Sequence, residues 1–169
     1  MAEKMILVSI AEQRLQLRED NDVLMDVPVS TAKNGPGEMY GSECTPRGWH
    51  QIRAKIGAGA ALNTVFKGRR PTGEIYSPAL RQQFPQRDWI LTRILWLSGL
   101  EPGKNRLGNV DTMRRYIYIH GCPDDDRLGM PGSHGCIKLR NTDVLRLYEQ
   151  VAAGTRVYIS EELLSQFIV

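Results

Sequence analysis

Two of the three histidines in this chain and two of its three cysteines lie between positions 120 and 136: His120, Cys122, His134 and Cys136. A cysteine becomes a strong nucleophile when a histidine takes its proton. Backbone N–H groups then hold the oxyanion that its attack creates. Cys136 closes the run Ser133-His134-Gly135-Cys136, and the glycine lets a substrate approach the backbone closely. The pattern points to acyl transfer through a thioester, with Cys136 as nucleophile and His120 as general base. His134 is the other base candidate; in extended chain its side chain shares a face with that of Cys136. The N–H groups of Gly135 and Cys136 are natural oxyanion donors. Asn141 has the character of an N-cap, so a Cys136 thiolate would stand near a helix start, where negative charge is favoured.

The same cluster supports a different chemistry. His120-Gly121-Cys122 and His134-Gly135-Cys136 are two His-x-Cys pairs, and four such ligands suit a structural zinc ion. That would make the chain a metal-held peptide-binding module. The usual Cys-x-x-Cys spacing is absent, and a thiol enzyme needs no cofactor, so resistance to chelators separates the two readings.

The elements that must position these groups are mostly strands. Met5–Ile10 and Arg14–Arg18 alternate in polarity around a short Ala11-Glu12-Gln13 connection, which predicts a hairpin. Further strands are expected over Val23–Ser30 and over Trp49–Ile56 after the Thr45-Pro46-Arg47-Gly48 turn. Two more follow, the apolar Asp88–Leu97 and Arg115–His120, the latter presenting His120 at its end. Residues 57–88 and 98–112 are loop-like, apart from a short helix over Pro78–Phe84. A long basic loop of this kind forms either a lid or a surface insertion. The apolar face Val144, Leu145, Leu147, Tyr148 and Val151 predicts a helix over Asn141–Ala153, stopped by Gly154. A strand Arg156–Ile159 and a short helix Glu161–Phe167, capped by Ser160, end the chain. The fold class is mainly β with two or three short helices, in one domain over 1–169.

Composition narrows the function. At 41% hydrophobic and 24% charged, the 169 residues suit a globular domain with a real core. No stretch approaches the roughly 20 apolar residues of a membrane-spanning helix. With Met1 as the start, the short apolar run Met5–Ile10 does not make a secretory signal, and the expected location is cytoplasmic. Three cysteines fit a reducing compartment rather than a disulfide framework. From Arg47 to Arg115 there are 13 Lys/Arg against 4 Asp/Glu, a basic middle suited to an anionic partner. No nucleic-acid motif accompanies it.

With these residues assembled, the chain resembles the L,D-transpeptidase catalytic domain (YkuD-like) family. The resemblance rests on Tyr116-Ile117-Tyr118-Ile119-His120-Gly121 followed by Ser133-His134-Gly135-Cys136-Ile137-Lys138-Leu139. Upstream, Val27–Ala32 and Thr45–Trp49 look like the family's earlier strands and turn. The resemblance implies an L,D-transpeptidase-like β-sandwich or barrel. It implies Cys136 as nucleophile and His120 as base, with the Gly121 carbonyl orienting the imidazole. The oxyanion would rest on the N–H groups of His134, Gly135 and Cys136. The implied substrates are peptidoglycan stem peptides or muropeptides, cut between an L-centred third residue and a terminal D-alanine; carbapenems would acylate the cysteine. The 12-residue spacer from His120 to Ser133 is shorter than usual in the family, which alters the expected flap over the cysteine. Lys138 stands where Arg or Asn is common; with Ser133 and Arg140 it is a candidate for substrate binding. A cytoplasmic setting makes water the expected acceptor, giving an L,D-carboxypeptidase in wall recycling. The alternative is an exported L,D-transpeptidase that forms cross-links or exchanges D-amino acids.

Overall fold

The computed structural model describes residues 3–167, built around one ten-stranded sheet. The strands are β1 (Lys4–Ser9), β2 (Arg14–Glu19), β3 (Asp22–Pro28), β4 (Gly48–Ile56), β5 (Thr64–Lys67), β6 (Arg70–Ile75), β7 (Ile90–Gly99), β8 (Tyr118–Cys122), β9 (Ile137–Arg140) and β10 (Arg156–Ser160). Two helices, α1 (Pro78–Gln83) and α2 (Asn141–Gln150), and two 3-10 turns complete the elements. The expected mainly β class is what the chain adopts, with two helices where two or three were expected.

The strand order is β3-β2-β1-β10-β4-β7-β5-β6, with β8 on β7 and β9 on β8. Pairing is antiparallel except for β1 with β10 and β8 with β9. The sheet curls, because one cluster of buried side chains draws on strands from both ends of that order. Leu15 and Leu17 of β2 meet Leu95 and Leu97 of β7, Ile137 and Leu139 of β9, and Val144 and Leu147 of α2. β2 and β9 alternate toward the shared interior, as half-buried strands must, whereas β7 is buried on both faces from Leu91 to Leu95. In β2, Leu15 and Leu17 are fully buried and Gln16 between them is not.

Several local expectations change. Residues 64–75, expected as loop, form the β5–β6 hairpin. Its two-residue turn places Gly68 at φ 55° and Arg69 at φ 64°, the positive angles that a tight hairpin turn needs. β8 begins at Tyr118 rather than Arg115, because the N–H groups of Arg115 and Tyr116 bond back to Asp111, Thr112 and Met113 in turns. The apolar run after Asp88 starts its strand at Ile90. α2 ends at Gln150 rather than Ala153. There Lys4 Nζ takes the Gln150 carbonyl at 2.9 Å and Lys55 Nζ the Val151 carbonyl at 2.8 Å, cations at the negative end of the helix. The expected last helix is only a 3-10 turn over Leu164–Gln166.

Asn141 is not the N-cap. It is the first residue of α2, and the cap position falls to Arg140, which makes no side-chain capping bond. The four residues of β9 separate Cys136 from the helix, and a helix dipole fades within its first turn. The helix therefore does not stabilise a Cys136 thiolate.

Candidate active site

β8 and β9 lie side by side and bring the chemistry together. In their parallel register His120 sits beside Lys138 and Gly121 beside Leu139, so the turn that feeds β9 carries Cys136 to the same end of the sheet. Segment 30–33 braces that turn. Ser30 exchanges two backbone hydrogen bonds with Lys138, the Ser133 N–H donates to the Thr31 carbonyl, and the Lys33 N–H donates to that of Ser133. Thr45 Oγ1 donates to the Gly135 carbonyl at 2.9 Å. At φ 127°, Gly135 adopts a backbone that side chains resist, and a Cβ there would stand 3.1 Å from Ile117 Cδ1.

His120 and Cys136 line one cleft of about 360 Å³, together with Asp88, Tyr116, Tyr118 and His134. His120 is buried, and its Nδ1–H donates to the Gly121 carbonyl at 2.6 Å. That bond selects the tautomer whose Nε2 carries the lone pair. Burial lowers the His120 pKa, against a pull upward from Asp88, so the imidazole rests neutral. The half-buried Cys136 thiol is turned toward the Tyr116 carbonyl at 3.5 Å and receives the Tyr118 N–H at 3.3 Å. Burial pushes its pKa up to about 12, against a smaller downward effect of the Tyr118 N–H. Among the described residues no hydrogen bond joins it to His120. The resting pair is therefore thiol and imidazole rather than thiolate and imidazolium. Attack by such a thiol would require proton transfer in the same step, and catalytic hydrogen bonds commonly tighten only once substrate is bound.

A second network lies beside the His120–Gly121 step and ties β7 to α2 and to the end of β8. β7 bulges at Thr92 and Arg93, opposite the His120–Gly121 step, and Thr92 has φ 75°. The bulge turns Thr92 Oγ1 to donate to Asn141 Oδ1 at 2.6 Å, while Asn141 Nδ2 donates to the Cys122 carbonyl and to Asn63 Oδ1, both at 2.9 Å. Gly121 admits this arrangement, since a Cβ there would meet Asn141 Oδ1 and the Leu91 carbonyl at overlapping distances.

The remaining predicted residues are placed as follows. Ser133 Oγ donates to the Cys136 carbonyl at 2.5 Å and accepts the Gly135 N–H at 3.1 Å. The Gly135 N–H is thus occupied, whereas those of His134 and Cys136 make no hydrogen bond among the described residues. The exposed His134 ring lies 3.8 Å from Asp88. Lys138 Nζ pairs with Asp126 at 3.1 Å, drawn away from the cleft wall. Arg140 is exposed at the far end of β9. Cys122 is buried, with its pKa pushed up to about 12 by desolvation, and behaves as a small apolar residue. Among the described residues no three His, Cys, Asp or Glu side chains converge as a metal cage.

Arg69 and Arg115 also line the cleft, and sequence reasoning did not single them out. The only signal they gave was membership of the basic middle. Part of that segment's charge is spent locally: Arg47 pairs with Glu38 and Glu161, Arg81 with Asp125 and Asp126, and Arg87 with Glu74.

Comparison with known proteins agrees with this geometry. The family model described as "L,D-transpeptidase catalytic domain" matches residues 3–159. "Probable L,D-transpeptidase ErfK/SrfK" of Escherichia coli (strain K12) is 27% identical over 161 residues, 94% of this chain and 44% of that protein. The chain spans less than half the length of the curated relatives it matches. L,D-transpeptidase 3 from Mycobacterium tuberculosis, solved with a faropenem-derived adduct, superposes with a TM-score of 0.58 at 16% identity, covering 95% of this chain and 61% of that one. LD transpeptidase LdtMt1 in complex with imipenem gives a TM-score of 0.58 at 18% identity, with coverages of 94% and 59%. At such identities these likenesses establish a common fold.

Proposed function

The chain belongs to the L,D-transpeptidase catalytic domain family, and from that premise we propose a reaction for it. It is a cysteine acyl-transfer enzyme acting on peptidoglycan tetrapeptide stems, with water as acceptor: an L,D-carboxypeptidase trimming muropeptides in the cytoplasm. The observation that carries the chemistry is the pairing of a Gly121-oriented His120 with Cys136 on one cleft.

Cys136 Sγ attacks the carbonyl carbon of the L-centred third residue, and His120 Nε2 takes the thiol proton. The oxyanion rests on the free N–H groups of His134 and Cys136, donors already in place before charge develops. The C–N bond then breaks, and His120 returns the proton to the departing D-alanine amine. A thioester remains. Water attacks it and His120 takes a proton from that water; the C–S bond breaks as His120 Nε2 returns this proton to Cys136 Sγ, which restores the thiol and releases the tripeptide. Water needs no binding site of its own, which favours hydrolysis in a cleft open to solvent.

A second reading has one observation in its favour. A neighbouring cleft of about 230 Å³ shares Arg115, Tyr116 and His134 with the first. An amine from a second stem arriving through it would make the enzyme an L,D-transpeptidase. Incubation with a disaccharide tetrapeptide and mass spectrometry of the products separates the two. Loss of one D-alanine alone is expected; cross-linked or D-amino-acid-exchanged products would assign the acceptor to the amine. No turnover, with wild type and Cys136→Ala behaving alike, would defeat both. Fractionation of the native host tests the cytoplasmic setting.

A further inference from the structure

We infer that Arg69, at the tip of the β5–β6 hairpin, is the residue that reads a substrate carboxylate at the Cys136 cleft. This inference deepens the proposed reaction and rests on it for the identity of the anion.

The first observation is where the guanidinium sits. Arg69 lines the same cleft as His120 and Cys136. Its Nη1 donates to the Tyr118 hydroxyl at 3.1 Å, and the group lies over the rings of Trp96, at 4.9 Å, and Tyr116, at 4.7 Å. Stacking of this kind holds the planar fork in one orientation and leaves its remaining N–H groups to bind.

The second observation is charge. Among the described residues neither Arg69 nor Arg115 has a carboxylate within salt-bridge distance, unlike Arg81 and Arg87. Arg115 is anchored on the carbonyls of Gly37 and Cys44, so it contributes field but few free donors. The one carboxylate on the cleft, Asp88, is exposed and faces His134.

The third observation is the backbone. Arg69 holds φ 64° in a turn that glycine or asparagine would adopt more easily. A side chain kept in that region is strained, and such strain persists where the surrounding structure holds it in place. A forked cation fixed beside a thiol nucleophile matches one ligand chemistry, a carboxylate bound by paired N–H groups. A tetrapeptide substrate offers two sources, the terminal D-residue and the side chain of an acidic or carboxylated third residue.

The test uses Arg69→Asn, a natural residue for this turn, and Arg69→Lys, which keeps the charge but loses the fork and the stacking. The first measurement needs no peptidoglycan activity. Iodoacetate and iodoacetamide differ by one negative charge, and their rates at Cys136 are read by peptide mapping. The iodoacetate-to-iodoacetamide ratio is expected to fall by about two- to fivefold in Arg69→Asn and to hold in Arg69→Lys. The second measurement compares kcat/KM for the free tetrapeptide, its C-terminal amide and its third-residue side-chain amide. Wild type should lose about 10- to 100-fold on whichever amide removes the bound carboxylate. Arg69→Asn should lose that discrimination, and Arg69→Lys most of it. An unchanged alkylation ratio, or equal discrimination by wild type and Arg69→Asn against both amides, overturns the assignment. A shifted ratio with no peptide turnover by wild type leaves the anion site standing and defeats the substrate reading.

Discussion

A Cys136 thiol held near pKa 12 has a measurable signature in how its reactivity depends on pH. At pH 7 such a group is thiolate in about 1 molecule in 100,000, against about 3% for an ordinary thiol near 8.5. The rarer thiolate is more nucleophilic, and with a Brønsted slope of about 0.4–0.5 it regains roughly 1.5 of the 3.5 decades lost. Iodoacetamide should therefore alkylate Cys136 roughly 100-fold more slowly than free cysteine at pH 7. The rate should climb about tenfold per pH unit toward pH 10, with no plateau. Carbapenem acylation should behave differently, because attack on a carbonyl draws the proton onto His120. Its working form is the neutral pair. Since burial lowers the His120 pKa below the ordinary value of about 6.5, acylation should be flat from about pH 6.5 upward and fall only in more acidic solution. Stopped-flow fluorescence for the carbapenem and mass spectrometry for the alkylation, over pH 5 to 10, give both profiles. His120→Ala should slow carbapenem acylation by about 10²- to 10⁴-fold and leave the slope of alkylation in place. An alkylation plateau below pH 8 in the wild type would mean a preformed ion pair and refute this account. Wild-type carbapenem rates in His120→Ala would move the base to His134.

Asn141→Ala should leave the Thr92 hydroxyl hydrogen without its acceptor and the Cys122 carbonyl without the Asn141 amide, although Thr92 Oγ1 still accepts the Asn63 N–H. At about 1–3 kcal/mol for each unsatisfied group, Tm should drop by roughly 4–20 °C, read by calorimetry; a drop under 2 °C would show that the network does not hold β8. His50 is fully buried, with Nδ1 on the Gly48 carbonyl and Nε2 on Thr112 Oγ1, and desolvation lowers its pKa to about 4. The unfolded chain then binds the extra proton below about pH 6.5, so stability falls as pH drops from about 6.5 to 4, by about 3 kcal/mol from this group. Urea melts across that range should show the loss, and His50→Gln should flatten it. Gly135→Ala forces a side chain into φ 127° and against Ile117, so the carbonyl-acylation rate should fall by about 10-fold or more as the His134 and Cys136 donors shift. An unchanged acylation rate would remove those N–H groups from the oxyanion role.

The parts of the fold legible in the chain were those whose side chains alternate against the shared core. β2 and β4 showed their pattern because one face of each is buried; β1 was legible from its apolar residues although both its faces are buried, Ile6 and Val8 in the main core and Leu7 against Leu164 and Phe167. The Ser133–Cys136 motif was visible because its histidine and cysteine are rare here. What escaped depended on tertiary partners. β9 is four residues long and exists as a strand through its bonds to β8 and to Ser30, which no local pattern announces. The β5–β6 turn uses Gly68-Arg69 where hairpin chemistry favours Asn-Gly, so the hairpin and its arginine were hidden together. Asn141 had the residue type of a cap, but Thr92, Asn63 and Cys122 claim its amide. The Gly135 N–H had the position of an oxyanion donor, but Ser133 Oγ occupies it.

The seating of β10 between β1 and β4 governs the order in which the chain can assemble. During synthesis the β1–β3 meander leaves the ribosome well before β10, with the β1 edge open and its partner still about 150 residues away in sequence (Met5 pairs with Arg156). Closing so distant a contact is slow, and an unpaired edge is a template for joining another chain. The β1 flank therefore stays open and sticky until β10 has been made. A deletion that removes Arg156–Ser160 would leave two half-sheets without the strand that joins them, and aggregation rather than a smaller folded enzyme is the expected outcome.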